Sequence, residues 1–227
     1  MKDFNWTKEA EKLWDQQADH WNSRSRKMWE SGSRKDIIPF LERYVISGAK
    51  VCDLGCGDGY GSLKLSSAGF KVVGVDVSED MIQKAKIINE GHPSQFVKDD
   101  IGSLKFPDES FDAVLAINSL EWTESPLKVI EEIKRILIPN GRACVGILGP
   151  TAAPRINSYQ RLYGDKVICN TMMPWEFERL ASENGLKKIS EFGVYKRESE
   201  GLPIENLPVS LKQALAFLWV FMLEKDS

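Results

Sequence analysis

The chain has 227 residues, enough for one sizeable domain, and its 42% hydrophobic and 28% charged content is that of a globular protein. With 30 Lys and Arg against 33 Asp and Glu the net charge is −3, so no general field draws nucleic acid. The local cluster Arg24, Arg26 and Lys27 reads as a solvated helix face, and the longest apolar run, Ala214 to Leu223, is too short to cross a bilayer. Four cysteines without a C-x-x-C pair, and His20 and His92 alone, leave no metal set. They imply reduced thiols in a cytoplasmic setting.

From the N-terminus, Trp6, Trp14, Trp21 and Trp29 recur every seven or eight residues, which predicts a helix from Thr7 to about Trp29 with the indoles on one face. Docking that helix onto the core is the plainer role for the stripe; lining a substrate pocket is the other, and a lid would do both. A second helix is expected from Ser33 to Tyr44. From Ala49 onward strands and helices alternate: strands Lys50–Leu54, Lys71–Asp76, Ser94–Lys98, Phe111–Ile117 and Arg142–Leu148, with Ser78 and Pro126 opening two of the intervening helices. This is the pattern of a parallel sheet covered on both faces, with ligands at the carboxyl ends of its strands. After Gly149 comes an irregular or helical insertion, Thr151 to Thr171, then a helix near Trp175–Ser182 and a strand Leu186–Lys196. The run Phe217 to Leu223 fits either a strand or a helix end.

The stretch VCDLGCGDGYG, Val51 to Gly61, joins a strand end to glycines at 55, 57 and 59, a loop bare enough for backbone N–H groups to approach a ligand. No choice of first glycine puts glycine at the third and sixth positions of a dinucleotide fingerprint. The loop therefore reads as a site for a nucleoside carrying an amino acid. Asp76, ending the second strand, is suited to accept two ribose hydroxyls; a helix-start acid is its alternative role. A nicotinamide-dependent oxidoreductase and a non-catalytic binding module are the rival functions.

The next motifs make the chain recognisable. DLGCGDG, VVGVDVSEDMI, DDIGSLKFPDESFDAV and EIKRILIPNGR stand in order across Lys50 to Leu148. Together they resemble the class I S-adenosylmethionine-dependent methyltransferases, notably the small-molecule branch related to quinone-biosynthesis C-methylases. The resemblance implies an α/β, Rossmann-like sheet of seven strands, mostly parallel with one antiparallel strand (Phe217–Leu223, beside the fifth), and helices on both faces. It implies one domain over 1–227: a helical cap at 1–46, a cofactor core at 49–148, an insertion at 151–171 and a sheet-completing part at 172–227.

It also implies S-adenosyl-L-methionine as cofactor. Asp53 and the backbone of Gly55, Cys56 and Gly57 would face the methionine part, Asp76 the ribose, and Val77 and Met81 the adenine. Asp100, favoured over Asp99, would accept from the adenine amino group, with the Ile101 N–H on a ring nitrogen and the Asn118 carbonyl near the methionine amine. Lys105 replaces the proline usual in the family, and Asn140 replaces a glycine, a mild change because Asn tolerates a left-handed turn. Trp21, Trp122 and Tyr159 are the expected acceptor contacts, and Trp29, Glu121 and Arg161 lie near the same mouth. His20 is a weak candidate base, and no catalytic residue is identified. The fourth strand ends in INSLEW, without the D/N-P-P-Y loop or Pro-Cys nucleophile of base-modifying relatives. A small-molecule acceptor is therefore expected, without metal, nucleic acid or membrane insertion, and with room for a homodimer.

Overall fold

A computed structural model describes residues 4–226; residues 1–3 of the expected cap, and residue 227, lie outside them. Strands β1 (Lys50–Leu54), β2 (Lys71–Asp76), β3 (Gln95–Lys98), β4 (Phe111–Ile117), β5 (Leu137–Leu148), β6 (Leu186–Val194) and β7 (Leu218–Lys225) form one sheet. Its order is β3-β2-β1-β4-β5-β7-β6. Only β7 is reversed: it pairs Cys144 of β5 with Met222 and Glu191 of β6 with Phe221, both antiparallel. The seven-stranded, mostly parallel sheet implied by the motifs is thus present. The ambiguous run after Ala216 is a strand because six consecutive side chains, Leu218 to Leu223, are buried, which a surface helix could not achieve.

Alternation along the strands divides the core in two. Cys52, Leu54, Val73 and Val75 face one side with Ile130, Ile133 and Phe177; Val51, Val72, Leu115 and Ile117 face the other with Ile37, Leu41 and Leu65. The first layer is closed by α5 (Pro126–Ile136) and α6 (Pro174–Glu183), and the second by α2 (Ile37–Leu41) and α3 (Tyr60–Ser67), with α4 (Glu79–Ile88) beside α3, its Ala85 and Asn89 against Gly59. Helix starts follow their chemistry: the Ser78 hydroxyl accepts from the Met81 amide, and Ser125 caps α5 ahead of Pro126. α2 is shorter than the expected Ser33–Tyr44. Pro39 has no N–H to donate, so it fits only a first turn, and the flanks settle as turns. Asn140 adopts a left-handed φ of 59°, as its replacement of a turn glycine requires.

The strand order reverses between β1 and β4. The loops leaving these two strands splay apart there and leave a crevice at the carboxyl edge. Across that edge lies α1 (Trp6–Glu30), 25 residues and roughly 37 Å long at 1.5 Å per residue.

Candidate active site

The loop after β1 forms the floor of a cavity of about 260 Å³. Gly55 and Gly57 have φ of 71° and 56°, and an added Cβ at Gly55 would stand 2.5 Å from that of Ser119. Glycine is required here by conformation and by space. The loop amides, expected to be free donors, are engaged within the protein: Gly55 and Cys56 donate to the Val75 carbonyl, and Gly57 donates to Asp76 Oδ2 at 2.9 Å. The loop therefore offers a ligand bare Cα surface, while its N–H groups tie it to the end of β2 and that of Gly57 braces Asp76.

Asp76 is held from both sides, since its Oδ1 accepts from the Ser78 amide at 2.9 Å. Burial pushes its carboxyl up to about 6, against the opposing pull of these backbone donors. Each oxygen keeps a second lone pair, so the group can still accept hydroxyls. At the end of β3, Asp100 Oδ1 accepts from the Gly102 amide and Oδ2 from the Thr7 hydroxyl, both within 2.9 Å. Val77, Met81 and Ile101 complete this part of the wall.

The opposite end is more polar. Asn118, at φ 55° beyond β4, donates its amide to the Gly146 carbonyl, and its own carbonyl accepts the Trp122 indole N–H at 2.8 Å. Its Oδ1 accepts from Arg34 at 3.3 Å. The Arg34 guanidinium stacks over Trp21 and Trp29, at 4.9 and 5.5 Å from their ring centres, and burial lowers its pKa to about 10, so it stays charged at neutral pH. Three buried atoms here lack a hydrogen-bond partner: Asn118 Nδ2, Ser119 Oγ and Asp58 Oδ2. All three residues line the cavity. Unpaired buried polar atoms are costly, so this end suits a ligand that brings its own donors and acceptors. An amino acid's ammonium and carboxylate meet that description, and the adenosyl part matches Asp76 and Asp100 opposite.

Of the residues the sequence nominated, Gly55, Cys56, Gly57, Asp76, Val77, Met81, Asp100, Ile101, Asn118, Trp21 and Trp122 converge on this one cavity. Asp53 is not brought into its wall. The Asp53 carboxylate turns to the Ser62 hydroxyl at 2.6 Å, pinning the start of α3, and burial raises it to about 6. Tyr159 also lies elsewhere: it is half exposed on the insertion, its hydroxyl 3.3 Å from that of Tyr163. His20 is exposed on α1, away from the cavity wall, so it is not positioned as a base. Glu121 is fully buried behind the wall, where it accepts from the Leu148 amide. Burial raises the Cys56 thiol well above its usual value, so it packs rather than reacts.

Arg34 escaped the sequence reading because it sits in a motif-free link, SGSRKD. Its only signal was a cation between a tryptophan stripe and an apolar run. The stripe packs α1 against the rest of the protein and lines the cavity at once. Trp6, Trp14, Trp21 and Trp29 all line the cavity with Trp122, and Trp14 meets Trp122 and Trp21 edge-on, with centroids 5.2 and 5.9 Å apart.

Residues 52–145 match the family model for the methyltransferase domain. The chain is 27% identical over 213 residues to a biotin biosynthesis bifunctional protein BioHC from Teredinibacter turnerae, across 81% of this chain and 37% of that protein. It is 29% identical over 137 residues to a demethylmenaquinone methyltransferase from Clavibacter sepedonicus, across 60% of this chain and 54% of the relative. The chain thus spans about half or less of the length of these curated relatives. Among solved structures, a chain in the complex between the Haloferax volcanii Trm112 methyltransferase activator and a methyltransferase superposes with a TM-score of 0.74 at 20% identity. The superposition covers 94% of this chain and 98% of that one, a likeness of fold. The matched segment begins in β1, ahead of the glycine loop, and ends in β5, the span that builds the cavity floor, so residues 52–145 form a methyltransferase domain similar to that of the S-adenosylmethionine-dependent methyltransferases.

Proposed function

We propose that this protein transfers a methyl group from S-adenosyl-L-methionine to a small-molecule acceptor. The observation that carries this reading is the pairing of two chemistries in one cavity: carboxylates Asp76 and Asp100 at one end, and unpaired Asn118, Ser119 and Asp58 atoms beside Arg34 at the other. A nucleoside joined to a zwitterionic amino acid is the ligand that satisfies both.

In this reading Asp76 takes the ribose hydroxyls, Asp100 the adenine amino group, and Val77 and Met81 pack on the base. Arg34 takes the carboxylate of the amino-acid end, and the Asn118 carbonyl its ammonium. When bound, the cofactor supplies an electrophilic methyl carbon on a sulfonium. The protein's own work is to orient, exclude water and hold an acceptor in line with that carbon. Indole faces of Trp14, Trp21 and Trp122 suit both a cation and a flat or apolar acceptor. The net charge is −3, which favours a small molecule over nucleic acid. Buried free thiols at Cys52, Cys56, Cys144 and Cys169 are the reason for proposing a cytoplasmic setting. No helix among the described residues is long and apolar enough to cross a membrane.

Titration calorimetry with S-adenosylhomocysteine and with NAD is the direct test, followed by transfer of labelled methyl groups into a metabolite extract. Binding of the first alone, with label incorporated, is expected. Binding of NAD in its place would overturn the reading, and binding without transfer would leave a non-catalytic module.

A further inference from the structure

α1 buries little of its own surface: of its 25 residues only Ala10, Ala18, Ser25 and Trp29 are buried. Besides the packing of its indoles, the helix is held by polar contacts, and these fall at particular places. The Thr7 hydroxyl donates to Asp100 Oδ2 at 2.9 Å. One end of Asp15 accepts the Ser78 hydroxyl at 2.5 Å and the Asp80 amide at 3.4 Å. Ser78 in turn donates its amide to Asp76. The first half of α1 is therefore fastened to the two carboxylates proposed to read the adenosyl group, one directly and one through Ser78. Glu11 also pairs with Lys98 and Asp19 with Lys84, partly exposed bridges of small value. The same helix carries Trp6, Trp14, Trp21 and Trp29 into the cavity.

We propose that Thr7 and Asp15 are positioning residues that seat α1 over a bound adenosyl group. This inference rests on the cofactor reading above. A carboxylate oxygen has two lone pairs, so Asp100 can accept from Thr7 and from an adenine amino group together. An adenine there fixes the Asp100 rotamer and desolvates it, which strengthens the Thr7 bond. Ribose on Asp76 fixes Ser78 in the same way, and with it the Asp15 contact. An occupied adenosyl subsite thereby holds the tryptophan wall in place, and an empty one leaves α1 free to lift and admit ligand.

Hydrogen exchange of α1 amides and the dissociation rate of S-adenosylhomocysteine, on the full chain, test this. The ligand is expected to slow exchange across residues 7–30. Thr7→Val is expected to raise the dissociation rate about tenfold with the association rate nearly unchanged, Thr7→Ser to restore it, and Asp15→Ala to act like Thr7→Val. Thr7 is exposed in the first turn, so its replacement leaves the fold intact. Bound ligand with unaltered α1 exchange, or an unaltered dissociation rate in Thr7→Val, overturns the inference while sparing the cofactor reading. Failure of S-adenosylhomocysteine to bind at all overturns both.

Discussion

Arg34 and Asn118, 84 residues apart, meet at 3.3 Å between guanidinium and side-chain oxygen, so a cation from the α1–α2 link stands at the carboxyl end of β4. Its guanidinium also lies over two indole faces and feels the charges of Asp58, Asp53 and Glu121. Arg34→Met is expected to weaken S-adenosylhomocysteine binding by roughly 1.5–3 kcal/mol, the scale of a charged hydrogen bond. Affinity for 5′-methylthioadenosine, which lacks the amino-acid end, should hardly change. Equal losses for both ligands would show that Arg34 only supports the fold.

Asp76→Ala should cost about 1–3 kcal/mol of cofactor affinity by calorimetry. Because Asp76 also accepts from Gly57 and Ser78, a thermal melt must accompany the measurement. Unchanged affinity would remove the ribose role.

The pH dependence has a definite sign. Asp53 and Asp76 have folded values raised by burial from 3.8 to about 6. Between about pH 4 and pH 6 the folded chain therefore keeps protons that the unfolded chain has released. Their contribution to stability is fully present below pH 4 and is lost as pH rises through about 6. The free protein should thus lose melting temperature from these groups mainly between about pH 4 and pH 6, with little further loss by pH 7. S-adenosylhomocysteine, whose ribose hydroxyls the proposed function sets on an ionised Asp76, should stabilise more at pH 7.5 than at pH 5.5. Ligand stabilisation that is the same at both values would contradict the assignment.

Trp122 is 8% exposed, packs against Trp14 and donates its indole N–H to the Asn118 carbonyl. Trp122→Ala should cost about 3–5 kcal/mol of stability, roughly 6–20 °C in melting temperature. Trp122→Phe keeps the ring, so most of that stability should return and cofactor affinity stay near normal, while acceptor use falls. Full activity in the Phe variant would mean the indole N–H has no part in the site.

Arg155 clamps the insertion to the sheet: its guanidinium donates to the carbonyls of Leu148, Gly149, Thr171 and Met172. Arg155→Ala leaves four acceptors to be satisfied otherwise, at about 1–3 kcal/mol for each that stays buried and unpaired. Proteolysis within residues 156–166 should accelerate, with cofactor binding largely preserved. An unaltered digestion pattern would show that the insertion is anchored elsewhere.

That the glycine loop, Asp76 and Asp100 line one cavity was legible because their placement lies in local chemistry: bare backbone, an acid at a strand end, fixed spacing along β-α units. Asp53 misled for the same reason. Its position in the motif resembles that of a ligand residue, yet its direction was decided by Ser62, nine residues on, which captures the carboxylate. Tyr159 looked like a wall residue by proximity in sequence to the sheet end. The insertion instead turns its Arg155 and Ser158 inward and leaves Ile156, Tyr159 and Leu162 exposed.

Taken alone, the amino-acid order determined the alternating elements, the buried strands, the bare loop and the row of carboxylates, because periodicity, turn chemistry and glycine's freedom act over a few residues. The tertiary structure decided which of those groups share a cavity. Arg34, Thr7 and the tryptophans reach it only because α1 is laid across the sheet edge, and that placement depends on contacts with residues tens of positions away, as between Thr7 and Asp100 or Asp15 and Ser78. Directions of side chains and long-range closure are properties of packing, which no short window of sequence contains.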